Sequence, residues 1–288
     1  MRPHPDWARA GADWPNREAS RFLRAGHTDW HLQEMGSGPR LLLLHGAGGA
    51  SHSWRDLMPL LAEDFRVAAP DLPGHGFTRT GPGMPLTLPA MASEVKALID
   101  ALPGPPEVIV GHSAGAAVAL RLALDGARPR SVIGLNAALT PFPGLAGLVF
   151  PAIAKALALN PAVPFAFSWL AGQSDQAGRL ISGTGSRLEP DGIALYQRLF
   201  ARPSHVSGAL RMMANWDLVP LLAELGALPC PVHLIAGSAD RAVPPAEARR
   251  LAAEHEAISY AEIAGMGHLM HEEDPGQFAA MIRDLARA

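Results

Sequence analysis

The sequence of 288 residues contains a single cysteine, Cys230, so no disulfide can form within the chain and a reducing compartment suits it. Lysine is nearly as scarce: Lys96 and Lys155 are the only two, and arginine carries the rest of the positive charge. The net charge of −3 excludes broad electrostatic attraction to nucleic acid. Charged residues make up only 18% against 48% apolar, a balance that excludes disorder on the scale of the chain and allows a sizeable core. The opening stretch, MRPHPDWARAGADWPNREAS, lacks the continuous apolar run of a signal peptide, and a cytoplasmic location is the expectation. Two nucleotide signatures are also missing. HGAGGA follows an apolar run but does not read G-x-x-x-x-G-K-[ST], has no lysine nearby, and is out of register for G-x-G-x-x-G.

What is present is an alternation of short apolar runs with longer helical segments. Strands are predicted at 20–23, 30–34, 41–44, 67–69, 108–110, 132–135, 232–236 and 259–263, and helices at 54–62, 88–102, 114–125, 246–255 and 275–286. Runs such as LLLLHG and VHLIAG lack polar alternation, which suits a parallel sheet covered on both faces. The first two strands, joined by Ala-Gly-His, suggest an antiparallel ribbon leading into an α/β, doubly wound domain. Residues 1–139 and 216–288 are assigned to this core.

Residues 140–215 break the rhythm, and no strand pattern occurs there. The first half, PFPGLAGLVFPAIAKALALNPAVPFAFSWLAG, carries one charge, Lys155. Prolines 143, 151, 161 and 164 and Asn160 interrupt it, so no unbroken apolar stretch reaches the ~18 residues of a spanning helix. A lid of short helices is predicted, with an apolar face that covers a lipophilic pocket or makes peripheral contact with a membrane surface. The second half carries Arg179, Arg187, Arg198, Arg202 and Arg211.

The chemistry centres on EVIVGHSAGAAVAL, where Ser113 sits between two glycines at a strand-to-helix turn. A serine hydroxyl becomes nucleophilic only when a base takes its proton and donors hold the oxyanion. A sharp turn after VIV exposes the hydroxyl, and Gly111 and Gly115 relieve crowding around it. The bland alternative is a serine capping the following helix. The glycine-rich loop of IAGMGHLMHEEDP offers His268 as the base. His271 competes with it, and a metal cluster of His268, His271 and Glu272 is disfavoured because it lacks H-E-x-x-H or H-x-x-E-H spacing. VHLIAGSADRAVPP places Asp240 after the next-to-last strand as the orienting acid, whereas the other candidate position, after 132–135, holds Asn136. The Ala114 N–H and the Ala47 N–H of LLLLHGAGGA are the expected oxyanion donors. His45 and His75 read as structural hydrogen-bonding residues, His112 as facing away from the site, and Met212 and Met213 as lid packing.

HGAGG, PDLPGHGFT, GHSAG, GSADRAVP and GMGHLMHEEDP, in this order, resemble the α/β-hydrolase superfamily from about residue 20 to the C-terminus. The resemblance implies a mostly parallel eight-stranded sheet with a helical cap and a Ser113–Asp240–His268 triad that needs no cofactor or metal. DWPNREASRF, HSWRDLMPLLA, GLNAALTPFPGLAG, GTGSRLEPDGIALYQRLF and MMANWDL look like the magnesium-chelatase accessory proteins of bacteriochlorophyll biosynthesis, a photosynthesis family within that superfamily. That narrower resemblance implies a role near magnesium insertion into protoporphyrin IX, with magnesium chelatase as a partner. Two functions follow: hydrolysis of a tetrapyrrole ester or other lipophilic acyl compound, or a non-catalytic carrier whose lid arginines pair with porphyrin propionates.

Overall fold

A computed structural model of the chain describes residues 4, 6–81, 83–140, 160, 162–171 and 175–287. Its centre is a nine-stranded sheet. Eight strands run in the order β1 (Ser20–Ala25), β2 (Thr28–Met35), β4 (Arg66–Pro70), β3 (Arg40–Leu44), β6 (Val108–His112), β7 (Ser131–Leu135), β8 (Val232–Gly237), β9 (Ile258–Ile263). The ninth, β5 (Arg79–Thr80), adds two residues against Thr28 and Asp29 of β2. β1 and β2 form the expected antiparallel ribbon, β2 also runs antiparallel to β4, and every pairing from β4 to β9 is parallel. All eight predicted strands are present; β5 was not anticipated, because two residues carry no periodicity.

The continuous apolar strands divide their side chains between two cores. Leu42, Leu44, Ala68, Ile109 and Val132 face one side, under α2 (Leu88–Ala101), α3 (Ala114–Leu122) and α8 (Pro245–Glu254). Leu41, Leu43, Val67, Val110 and Ile133 face the other, under α1 (Leu57–Leu61) and α9 (Pro275–Arg287). The period of two is therefore intact, although both faces are apolar. The flanking helices bury one stripe each: Met91, Val95 and Leu98 on α2, and Phe278 and Ile282 on α9. Thr87 caps α2 by accepting a hydrogen bond from the Ala90 N–H at 3.4 Å.

Between β7 and β8 the described residues include the helices α4 (Ala162–Ala171), α5 (Gln176–Gly183), α6 (Pro190–Phe200) and α7 (Pro203–Ala214). The apolar stretch assigned to the lid lies largely outside the described residues. α4 is apolar on both sides, with Val163 and Phe167 lining a cavity and Phe165 and Trp169 exposed. Among the described residues, no helix is long and apolar enough to cross a membrane.

Candidate active site

Parallel strands all deliver their C-terminal ends to one edge of the sheet, and the residues singled out from the sequence meet there. Ser113 follows β6 directly and precedes α3. Its backbone sits at φ 52°, ψ −119°, outside the regions open to ordinary L-residues, and its side chain makes no capping hydrogen bond to α3. The helix-cap alternative therefore fails, and strain of about 1–3 kcal/mol is held at this turn. The turn needs its glycines for closeness. A Cβ on Gly115 would stand 2.1 Å from the Leu44 carbonyl oxygen, and one on Gly111 would stand 2.5 Å from the Ala116 backbone.

His268 lies in the loop after β9, and Asp240 in the loop after β8. The His268 Nδ1 is 2.7 Å from the Asp240 Oδ2, and the two residues are 9% and 7% exposed. The other carboxylate oxygen, Oδ1, accepts the backbone N–H groups of Ala242 at 2.7 Å and Val243 at 2.9 Å. With Oδ1 so occupied, Oδ2 is the oxygen that accepts the Nδ1 hydrogen, which selects the Nδ1–H tautomer of the imidazole.

Ser113, His268 and Ala47 line one cavity of about 570 Å³, a volume suited to a small organic ligand. Ala47 lies in the loop after β3, and Ala114 is the first residue of α3, where backbone N–H groups have no partner within the helix. The rest of the wall is mainly hydrocarbon, including Val163, Phe167, Ile181, Phe200, Val206 and Met213. Met213 thus faces the cavity, while Met212 is buried against the core.

Several residues around the site were not recognised from the sequence. Asn136, at the alternative position for an acid after β7, has φ 44° and turns its amide toward the histidine loop. Its Nδ2 donates to the carbonyls of Gly267 at 2.9 Å and His268 at 2.8 Å, and its Oδ1 accepts the Gly237 N–H at 2.8 Å. His112 does not face away: its ring lies 4.7 Å from that of His268, and its Nε2 donates to the His268 carbonyl at 2.9 Å. Ser186 accepts the Leu269 N–H at 2.7 Å. The backbone on both sides of His268 is therefore fixed by side chains from β6, from the residue after β7 and from the segment before α6.

A second polar group underlies the cavity wall. Glu272 is fully enclosed, accepts hydrogen bonds from Ser53 at 2.6 Å and Tyr196 at 2.7 Å, and pairs with Arg55. Burial raises the Glu272 carboxyl pKa against the pull of Arg55, and burial beside this carboxylate also raises the Tyr196 phenol. His271 donates from Nε2 to the Ser53 Oγ at 2.9 Å and packs between Trp54 and His112, so it is a neighbour of the cavity whose Nε2 is already engaged. Among the described residues no group of histidine, cysteine and acidic side chains is arranged to hold a metal ion.

His45 bridges the Gly46 carbonyl and the Leu72 N–H at 2.8 Å each, as its structural reading required, and His75 reaches the Pro73 carbonyl at 3.1 Å. His205 of α7 does the same between two loops, donating to the Gly48 carbonyl and accepting from the Gly76 N–H, both at 3.0 Å. Burial lowers its pKa to about 3, which keeps the ring neutral.

Comparison with known proteins agrees with this architecture. The model of the alpha/beta hydrolase family matches residues 41–281. The magnesium-chelatase 30 kDa subunit of Rhodobacter capsulatus is 42% identical over 95% of this chain and 96% of its own length. The pimeloyl-[acyl-carrier protein] methyl ester esterase of Aromatoleum aromaticum is 31% identical over 86% of this chain and 98% of its own. Among solved structures, a thermophilic esterase from Thermogutta terrifontis superposes with a TM-score of 0.73 at 25% identity, covering 93% of this chain and 98% of that one. With its sheet order, its strained serine turn and these relatives, the chain belongs to the alpha/beta hydrolase family.

Proposed function

We propose that the protein is a serine hydrolase of esterase type, linked to bacteriochlorophyll biosynthesis at the magnesium-chelatase step. The observation that carries this reading is the joint presence, at one apolar cavity, of a serine on a strained turn and a histidine whose far nitrogen is held by a carboxylate. Ser113 Oγ attacks the ester carbonyl carbon while its proton passes to His268 Nε2. The carbonyl electrons move to oxygen, where the Ala47 and Ala114 N–H groups and the N-terminal end of α3 stabilise the charge. Collapse expels the alcohol, which takes the proton from His268. Water then attacks the acyl-serine, its proton again going to Nε2, and the acid departs as Ser113 regains its hydrogen. Asp240 offsets the imidazolium charge throughout and keeps the ring in the working tautomer. Helices α4–α7, within the lid assigned to residues 140–215, enclose the substrate.

The link to the chelatase rests on the relative named as its 30 kDa subunit and on the resemblance in the N-terminal arm and lid. The test is hydrolysis of short activated esters by the wild type and by Ser113→Ala. We expect turnover in the first and none in the second. Wild-type activity no higher than that of Ser113→Ala would favour the carrier function, which a tetrapyrrole absorbance titration of the variant would then examine.

A further inference from the structure

The cavity beside Ser113 is unusual in what its wall withholds. Among the described residues that line it there is no lysine, arginine, aspartate or glutamate. The lid arginines point elsewhere: Arg198 pairs with Asp13 at 2.7 Å, Arg202 with Asp6 at 3.4 Å, and Arg211 donates to the Met84 carbonyl at 2.7 Å, while Arg179 and Arg187 are exposed. The residues outside the description between 141 and 174 include one charged side chain, Lys155.

The polar side chains in the wall are also committed to the protein. Ser53 and Tyr196 both direct their hydroxyl hydrogens to Glu272. Thr184 donates to the Ile181 carbonyl at 2.6 Å. His205 uses both ring nitrogens on backbone groups, and the Nε2 of His112 is taken by the His268 carbonyl. Among the described residues of the wall, Ser113, His268 Nε2 and the neutral ring nitrogen Nδ1 of His112 are the polar side-chain groups left without a protein hydrogen-bond partner. Among the described residues an anionic ligand would meet no charged side chain of opposite sign there, and the carboxylate of Glu272 stands behind the wall.

We infer that the cavity selects an uncharged ester whose enclosed part is hydrocarbon, and that it rejects ligands carrying a free carboxylate. This rests on the hydrolase reading for the word ester, and on the wall alone for the charge preference. Burying a carboxylate without a partner is costly, whereas each methylene placed against Phe167, Ile181 or Val206 gains. A macrocycle would therefore enter only as its ester, with the acid side chains masked. The acid product would be poorly held, because hydrolysis creates the charge that the wall does not accept.

The experiment has two arms. In the first, wild-type protein is given 4-nitrophenyl esters of straight-chain acids and the matched monoesters of dicarboxylic acids, which end in a free carboxylate. We expect kcat/KM to rise with chain length and to be on the order of 100-fold lower for the carboxylated partner. In the second, Ser113→Ala binds the same pairs, read by displacement of an environment-sensitive apolar fluorophore, with the same preference expected. No hydrolysis by the wild type, with the binding preference intact in Ser113→Ala, would sink the hydrolase reading and leave this inference standing. Equal or tighter binding of the carboxylated compound by Ser113→Ala would overturn the inference itself. Met213→Lys, which brings one cation to the wall, should narrow the gap by at least about tenfold; an unchanged gap in a folded variant would also count against it.

Discussion

The side-chain amide of Asn136 holds the main-chain carbonyl of His268 at 2.8 Å, across 132 residues of sequence. The same amide takes the Gly267 carbonyl and receives the Gly237 N–H, so one residue after β7 ties the histidine loop to the end of β8. The imidazole's position is then set by its backbone as much as by Asp240.

Asn136→Ala should accordingly act on catalysis through geometry. Two buried carbonyls and one N–H lose their partners, at about 1–3 kcal/mol each. A histidine displaced by an ångström loses reaction rate on the order of 100-fold. We expect kcat for an activated ester to fall by roughly 10- to 100-fold with KM little changed, and the urea midpoint to drop. Asn136→Asp should be no better, because a carboxylate oxygen would replace the amide donor opposite two carbonyl oxygens. Full activity in a folded Asn136→Ala would remove this residue from the positioning role.

Asp240→Asn tests the tautomer. Oδ1 accepts two backbone N–H groups, so an asparagine would keep its carbonyl oxygen there and turn its NH₂ toward His268. Nδ1 would then have to accept, and the proton would move to Nε2, where it blocks uptake of the serine hydrogen. A loss of kcat of roughly 10⁴-fold is expected with the fold intact. A loss of less than about tenfold would show that Asp240 does not orient the base.

The parts of this protein that were legible share one property: their signal is local. Eight strands showed as short apolar runs, and the turn at Ser113 showed as small residues between a strand and a helix. The places of Asp240 and His268 followed from loops after β8 and β9. Asn136, Tyr196, His205 and Glu272 carry no such signal, because each acts on a partner 76 or more residues away. His112, read as facing away from the site, instead turns under the histidine loop, a contact 156 residues away in sequence that no local pattern shows. The N-terminal arm was likewise illegible as structure; Trp7 and Trp14 pack on Phe77 in a small core of their own.

The Glu272 group should behave as a charge that cannot lose its partner. Arg55→Met leaves a buried carboxylate with two hydroxyl donors and no cation, and we expect a loss of about 3–5 kcal/mol at pH 7. Burial already raises the Glu272 carboxyl pKa, and removing Arg55 raises it further. A group with a raised folded pKa costs stability above that value and recovers it below, so the defect should shrink as pH falls toward 5. Adding Glu272→Gln should restore part of the loss at pH 7. A defect that is independent of pH and unaffected by Glu272→Gln would rule out the charge as its cause.

Acid should unfold the protein through histidines buried in neutral form. Burial lowers the pKa of His45, His52, His75, His112, His205 and His271, with His205 and His271 brought to about 3 from 6.5. At each site, between its lowered folded value and 6.5, the unfolded chain binds a proton that the folded chain does not. Stability from each is fully present above pH 6.5 and falls by about 1.4 kcal/mol per pH unit below it. The urea midpoint should therefore be nearly level from pH 8 to 7 and steep from 6 to 4.5. His52 offers the cleanest check, because neither ring nitrogen has a hydrogen-bond partner and the ring packs against Trp14 and Tyr196. His52→Phe keeps an aromatic ring there and removes the titrating group. We expect it to stabilise the protein at pH 5 and to reduce the pH slope by close to one proton, leaving stability at pH 8 within about 1 kcal/mol of wild type. An unchanged slope would mean that His52 is protonated in the folded protein, and the burial account of acid sensitivity would fail at a site where the ring has no hydrogen-bond partner.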